Sequence, residues 1–453
     1  CNGRLLVGTV AGINWWRGNL RPGDAANYGL NLTRFAPGRV GAGYTDDLPV
    51  IADGMSRLHQ AALDHHYGLW YDRRREDHER VRRVDADVWP PFYEQPFARS
   101  GSGSAWDGLS QYDLTQFNPW YWSRLRMFAA LCDARGLVLF NENYFQHNIL
   151  EAGAHWVDCP WRSTNNLNST DFPEPPPFAG DKRIFMAAQF YDVSHPVRRR
   201  LHQQFIRQNL DNFTNQANVI QFTSAEFTGP LAFEQFWLDT IGEWEQAAHR
   251  HPLIALAATK DVQDAILADP PRCALVDVVC FRYWWQTDRG LFAPPAGQNL
   301  SPRQSERRWK GGMPGDDNLA AMVAGYRQRF PHKVFLASGE DADLSRNSWA
   351  FVCAGGSLPN LPPTTSPQLL AAIPQMQPWL ADVPGKLWAL RQPGRQILIC
   401  CRGGRLVDLS AETGAFRAYP VNAATGEVMA GEKVQTGARV QLPASAVVWL
   451  VKQ

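Results

Sequence analysis

The stretch NVIQFTSAE, residues 218–226, decides the fold of this 453-residue chain. Its apolar, β-branched start predicts a short buried strand, and amphipathic helix patterns lie before it at 197–214 and after it at 231–248. Parallel strands need helical crossovers, so a strand between two helices is the unit of parallel β/α architecture. The glutamate that closes the stretch therefore stands where a buried strand leaves its sheet.

The same unit repeats along the chain and gives nine strand candidates for the eight positions of a (β/α)8 barrel. The candidates are residues 5–16, 29–35, 68–72, 137–140, 218–222, 253–256, 275–280, 333–336 and 349–352. A helix pattern over 47–65 leads to the third of them, and either the first or the second is extra. Both choices make Leu137 part of the third strand, Val219 part of the fourth and Val334 part of the seventh.

After residue 380 the pattern changes to short β-rich runs separated by turn signals such as Gly403-Gly404, which is typical of a small antiparallel sandwich. The length suits a barrel of roughly 250 residues or more with an appendage. We therefore predict an α/β TIM barrel with long βα loops over residues 1–380 and a C-terminal β-sandwich over residues 381–453. Two long loops, at 83–118 and 159–180, are expected to line or cover a site.

Charge and motifs exclude several classes of protein. The net charge of +1 argues against a nucleic-acid or membrane-surface binder, and no apolar run reaches the ~18 residues of a membrane span. The eight cysteines lack metal-ligand spacing, and there is no Walker motif, dinucleotide fingerprint or serine nucleophile elbow. We expect no metal and no cofactor. Nothing indicates an oligomeric state.

Aromatic content points to carbohydrate. The chain has 18 Trp, 12 Tyr and 23 Phe, and several cluster in predicted loops, at 15–16, 120–122 and Tyr283-Trp284-Trp285. Indole faces suit the C–H faces of sugar rings, although most of these side chains are expected to fill the core.

Two glutamates follow the strands that face each other across a barrel. Glu226 follows the fourth strand and Glu340 the seventh, and catalytic groups of such barrels stand at the C-terminal ends of strands. Carboxylates ~5 to 5.5 Å apart suit retaining glycoside hydrolysis, with Glu226 as general acid and base and Glu340 as nucleophile. Asp341 competes with Glu340 because the strand end is uncertain by a residue or two.

The layout resembles the clan A glycoside hydrolases, which carry the acid/base after strand four and the nucleophile after strand seven. The segments VAGIN at 10–14 and YGLNLTRF at 28–35 are similar to the first two strand segments of that clan. The resemblance implies that Arg34 lies beside the nucleophile and that Tyr283 hydrogen-bonds it. The clan usually has Asn before the acid/base, whereas this chain has Ala225, so Gln221 or Asn143 would have to contact the sugar 2-hydroxyl.

Other strand ends offer substrate contacts. The third strand ends in a polar run that favours contacts from Asn143, Tyr144 and His147, while Glu142 imitates an acid/base motif.

The fifth strand ends at Lys260-Asp261, which form either a salt bridge or ligands for hydroxyl groups. Asp72 and Arg73 are either a solvated ion pair or, through the guanidinium fork, a site for a uronic acid.

These observations predict a secreted or periplasmic hydrolase acting on a plant or microbial polysaccharide or its fragments. A chain that opens on Cys1 fits a lipid-anchored protein and equally a cloning boundary. Two other classes stay open. One is a non-catalytic carbohydrate-binding barrel. The other is an inverting hydrolase or a lyase built on another pair, such as Asp72 with Glu226.

Overall fold

The computed structural model describes most of the chain after residue 94. The described residues are 9–12, 48–57, 60–67, 70–71, 88–89, 95–106, 108–146, 149, 156–157, 159–176, 179–225, 227–281, 284–286, 292–293, 315–337, 348–359, 361–379, 387–401 and 406–453. None of the helices in these ranges combines the length and hydropathy needed to cross a bilayer.

Seven parallel strands form the main sheet, and they lie side by side in the order in which they occur along the chain. They are β1 (Thr9–Gly12), β2 (Gln60–His65), β3 (Val138–Phe145), β4 (Val219–Ala225), β5 (Leu253–Leu256), β6 (Val278–Cys280) and β7 (Val334–Leu336). The places of the third, fourth and seventh strands are confirmed.

Helices connect and cover these strands. They are α1 (Leu48–Arg57), α2 (Pro119–Asp133), α3 (Ala179–Phe190), α4 (Pro196–Asn212), α5 (Leu231–Ala248), α6 (Lys260–Leu267), α7 (Pro270–Leu275), α8 (Asp316–Arg329), α9 (Ser348–Cys353) and α10 (Pro367–Ala372).

Alternation along the strands divides the core into two layers, because successive side chains of a strand point to opposite faces. Val138 and Phe140 of β3 join Ile220 and Phe222 of β4 in a cluster enclosed by the sheet. Leu139 packs with the helices on the other face. Burial on both faces is typical of a parallel sheet covered by helices, and the predicted (β/α)8 barrel is the architecture observed.

Two segments predicted as barrel strands, 68–72 and 349–352, are not barrel strands. The second barrel strand is instead β2, which the sequence predicted as the end of the helix over 47–65. The helix α1 ends at Arg57, before β2 begins. Pairing with two neighbouring strands outweighs the helical preference of the Gln, Ala and Leu residues of β2, because tertiary contacts routinely override intrinsic propensity. The predicted strand at 68–72 instead contributes Trp70–Tyr71 to an antiparallel pair with Val88–Trp89. The candidate at 29–35 lies outside the described residues.

The predicted last strand, 349–352, lies in helix α9. A short apolar run does not distinguish a buried helix from a buried strand. Within the described residues the eighth position is taken by Ser357, which forms a single parallel bridge with Leu336 of β7. Leu358 then joins the cluster inside the barrel.

The C-terminal region is the predicted antiparallel sandwich. Its strands are β8 (Gln377–Pro378), β9 (Leu387–Gln392), β10 (Gln396–Cys401), β11 (Leu406–Asp408), β12 (Ala415–Val421), β13 (Glu432–Gln435), β14 (Arg439–Gln441) and β15 (Val447–Lys452). Six form one sheet in the order β8-β9-β10-β15-β12-β13, and β11 pairs with β14. A separate hydrophobic cluster fills the space between them.

The other face of the six-stranded sheet packs against the barrel. Trp349 of α9 lies in a cluster with Leu390 and Leu398 of the sandwich, and its indole N–H donates to the carbonyl of Ala423 at 2.9 Å. The division at residues 380 and 381 stays a prediction.

Replacing Gly355 with Ala should destabilise the junction between barrel and sandwich. Gly355 has φ +97°, and a Cβ there would collide with the Pro378 ring and the Arg327 side chain. We expect a loss of about 2 kcal/mol or more in the free energy of unfolding, measured by urea denaturation. The control is Gly394→Ala, at φ +66° with open space around it. Equal losses in both variants would mean that only backbone strain matters.

Candidate active site

Two long loops leave the sheet at the ends of β2 and β3, the face at which barrel enzymes carry their sites. Their described parts, within 95–118 and 156–176, are held together by side-chain amides. The N–H of Trp106 donates to Asn165 at 3.0 Å, the N–H of Leu114 donates to Asn168 at 2.7 Å, and Asn168 donates to Asp113 at 3.0 Å. The loops therefore form one block beside the strand ends.

The chain around position 226 is anchored on both sides. Two residues before it, the Ser224 hydroxyl donates to the carbonyl of Tyr144 at 3.1 Å. Two residues after it, the N–H of Thr228 donates to Oε1 of Gln146 at 2.9 Å. Both anchors belong to the end of the neighbouring strand β3. Glu226 itself lies outside the described residues, directly after the last residue of β4.

Several other predicted site residues lie outside the described ranges. The chain is described as far as Ala337 after β7, so Glu340 and its rival Asp341 fall beyond it. The remaining predicted contacts outside these ranges are Arg34, Asp72, Arg73, His147 and Tyr283. Their roles stay predictions.

Asn143 and Gln221 lie on the helix side of the sheet. The Asn143 amide donates to Oε1 of Gln221 at 2.9 Å, and Trp237 of α5 donates to Oδ1 of Asn143 at 2.8 Å. Asn141 also donates to Gln221, at 2.8 Å, and to Asn209 of α4, at 2.9 Å. The two predicted sugar ligands thus satisfy buried polar groups between strands and helices. Neither Asn143 nor Gln221 is assigned a role in catalysis.

Tyr144, a predicted substrate contact, is instead buried among aromatic rings. Its hydroxyl is 2.9 Å from Nδ1 of His202, and its ring packs edge-on against Phe190 and Phe233. Burial lowers the pKa of His202 to about 3, so the imidazole is neutral at ordinary pH. The packing assigns Tyr144 to the core.

Two tryptophans of the aromatic clusters that were expected to contact sugar have described side chains, and both are buried. Trp122 is 3% exposed and Trp284 is 1% exposed. The Trp284 indole donates to Gln263 at 3.1 Å. The backbone of Trp285 belongs to a two-residue strand that pairs antiparallel with residues 292–293. The expectation that most Trp fill the core holds for these two side chains.

Lys260 and Asp261 begin α6, directly after the segment that follows β5. Lys260 forms an ion pair with Asp264 one helical turn later, and its ammonium lies 5.4 Å from the Trp284 ring centroid. Asp261 accepts the Thr259 hydroxyl at 2.7 Å. These local contacts orient both side chains at a strand end, and their contact with substrate stays a prediction.

Glu142 belongs to the third strand, not the fourth. It is 2% exposed and follows Val138 and Phe140 at intervals of two, which directs it to the barrel interior beside Phe222 of β4. Glu142 is therefore not the glutamate that follows the fourth strand, although the Asn141-Glu142 pair resembles the acid/base motif found there.

Glu234 is a buried acid that sequence reasoning missed. It lies in the first turn of α5, where a carboxylate usually offsets the helix dipole at the surface, yet it is 0% exposed. The Thr223 hydroxyl lies 2.7 Å and 2.8 Å from its two oxygens. Burial raises the pKa of Glu234 to about 8. In the sequence, its position one helical turn after Pro230 is the only feature that sets Glu234 apart.

The fold defines the class: a parallel barrel with a C-terminal sandwich, as predicted. The chain belongs to the family DUF6298, a domain of unknown function, whose model matches residues 1–376. Comparison with curated proteins gives no match.

No group of three His, Cys, Asp or Glu in the described ranges is arranged to hold a metal.

Solved structures described as glycoside hydrolases have a similar fold. A glycoside hydrolase family 5 protein from Bacteroides vulgatus has a TM-score of 0.50 and 11% identity, over 90% of this chain and 86% of its own. A structure described as a glycoside hydrolase has a TM-score of 0.48 and 12% identity, over 90% and 89%. Endo-glycoceramidase II from Rhodococcus sp. has a TM-score of 0.40 and 11% identity, over 99% and 97%.

Proposed function

We propose that this protein is a retaining glycoside hydrolase in which Glu226 is the general acid and base and Glu340 the nucleophile. The observation that supports it is the strand order. Glu226 directly follows the fourth strand of the parallel sheet, and Glu340 comes four residues after the end of the seventh. Strands three places apart in an eight-position barrel stand on opposite sides of its mouth, where a pair of carboxylates can flank one sugar.

The surroundings of the site fit a polymeric or oligomeric glycan. The block formed by the two loops stands on the same face as these strand ends, and such loops commonly shape substrate binding in barrels. A polysaccharide substrate would be met outside the cytoplasm, so secretion or a periplasmic location is part of the proposal.

The test is a hydrolysis screen of the full chain on plant, algal and microbial glycans, including glycans that contain uronic acid. We expect release of reducing ends from at least one of them, and NMR should show that the first-formed anomer keeps the configuration of the substrate. Inversion would remove Glu340 as nucleophile, because inverting pairs stand ~6.5 to 9.5 Å apart around a water. Binding without cleavage would favour a carbohydrate-binding barrel.

A further inference from the structure

Gln146 is the buried amide that follows the end of β3. It is 0% exposed, and its two polar atoms engage the same residue on the neighbouring strand's exit. Oε1 accepts the backbone N–H of Thr228 at 2.9 Å, and Nε2 donates to the Thr228 hydroxyl at 3.1 Å. The hydroxyl of Tyr191, after α3, also donates to Oε1, at 3.3 Å. One side chain therefore fixes Thr228 through both its backbone and its hydroxyl.

The segment that Gln146 holds is closely packed. Phe227 is 0% exposed and its ring meets Tyr191 edge-on at 5.2 Å. Gly229 has no room for a Cβ, which would lie 2.6 Å from the Phe227 ring and 2.8 Å from the Tyr191 ring. Together with the bond from Ser224 to Tyr144, these contacts fasten the chain on both sides of position 226 to the end of β3.

We infer that Gln146 is a positioning residue for Glu226, an inference that rests on the proposed function. A catalytic carboxylate must be held within about 0.5 Å of its productive place, which requires a fixed backbone beneath it. Because Gln146 is fully buried, it acts through Thr228 and not on substrate. Proton transfer from Glu226 to the departing oxygen is the step that depends on this placement.

The experiment compares Gln146→Met, which removes the two hydrogen bonds to Thr228 and the one from Tyr191, with Gln146→Glu, which keeps an acceptor for the Thr228 N–H. Gln396→Met is the matched control, since Gln396 accepts an indole N–H from Trp449 at 3.2 Å in the sandwich. Hydrogen exchange by mass spectrometry is measured on the peptide spanning 224–229. We expect exchange there to rise about tenfold or more in Gln146→Met and to stay unchanged in Gln396→Met.

Kinetics use phenyl and 2,4-dinitrophenyl glycosides of the sugar that the wild type cleaves. The phenyl leaving group needs protonation and the dinitrophenyl group does not. For Gln146→Met we expect kcat/KM on the phenyl glycoside to fall about tenfold to a hundredfold. On the dinitrophenyl glycoside kcat/KM should change little, because it reports formation of the glycosyl-enzyme, which needs no proton there. Gln146→Glu should recover activity at acidic pH, where its carboxyl can donate to Thr228.

Two results would overturn the inference. Unchanged exchange over 224–229 would show that Gln146 does not hold the segment, whether or not the protein is active. Equal losses in kcat/KM on both glycosides would mean a general structural role. A wild type that cleaves no glycan would defeat the proposed function alone, and the exchange result would still decide what Gln146 holds.

Discussion

Replacing Glu226 with Ala should reduce hydrolysis of phenyl glycosides by about 10²- to 10⁴-fold, the usual contribution of a general acid. The dinitrophenyl glycoside should still form the glycosyl-enzyme, since its leaving group departs without a proton. Azide, a small anion that needs no general base, should then restore turnover of that substrate and yield a glycosyl azide. Steady-state kinetics and product NMR check both expectations.

Glu340→Gln should behave differently, because a missing nucleophile prevents formation of the glycosyl-enzyme from every substrate. Activity should be lost on both glycosides. Asp341→Asn separates the two rivals for this role: it should retain activity if Glu340 attacks and lose it if Asp341 does.

The control for these substitutions is Glu243→Gln, on the outer surface of α5, where Glu243 pairs with Arg207 at 2.8 Å. It should leave both rates unchanged. Full activity in Glu226→Ala on the phenyl glycoside would contradict the assignment, and Glu142→Gln would then be the next variant to examine.

Glu234→Gln should make the protein more stable at alkaline pH. The carboxyl has a pKa of about 8 in the folded protein, against 4.5 for an ordinary glutamate. Between these values the folded state keeps a proton that the unfolded chain has released. Raising the pH from about 4.5 to about 8 therefore favours unfolding, by about 5 kcal/mol over the whole window.

The Thr223 contacts explain why the glutamine should fit. The Thr223 hydroxyl lies within hydrogen-bond distance of both carboxyl oxygens, so it can donate to one of them and accept a proton from the other when burial keeps Glu234 protonated. The amide of glutamine reproduces this neutral donor and acceptor pair. The variant should thus keep its stability as the pH rises, whereas Thr223→Val should destabilise the protein by leaving the buried acid without its partner.

Urea denaturation followed by tryptophan fluorescence, from pH 4.5 to 9, measures the effect. His65 and His202 also titrate, and burial lowers the pKa of each to about 3. Both contribute stability that is lost as the pH falls below about 6.5, where the unfolded histidines become charged. This contribution is common to wild type and variant, so the difference between their curves isolates Glu234. Parallel curves would show that Glu234 is ionised in the folded protein.

The sequence by itself determined the architecture and the order of most strands. Helix patterns on both sides of an apolar run leave few alternatives to a parallel β/α fold, and they numbered β3, β4 and β7 correctly. The places of Glu226 and Glu340 along the chain follow from that numbering, since each comes after a strand that the sequence identifies. The antiparallel sandwich was equally visible in its short runs and turns.

Only the tertiary structure decided which segments pair and which way their side chains point. Gln60–His65 is a strand because two neighbouring strands bond to it, and 349–352 is helical although its composition suits either state. Asn143 and Gln221 face the helices because alternation has a period of two, so a shift of one residue moves a side chain from one face to the other. The burial of Glu234 beneath β4 likewise depends on how α5 packs, which no local pattern records.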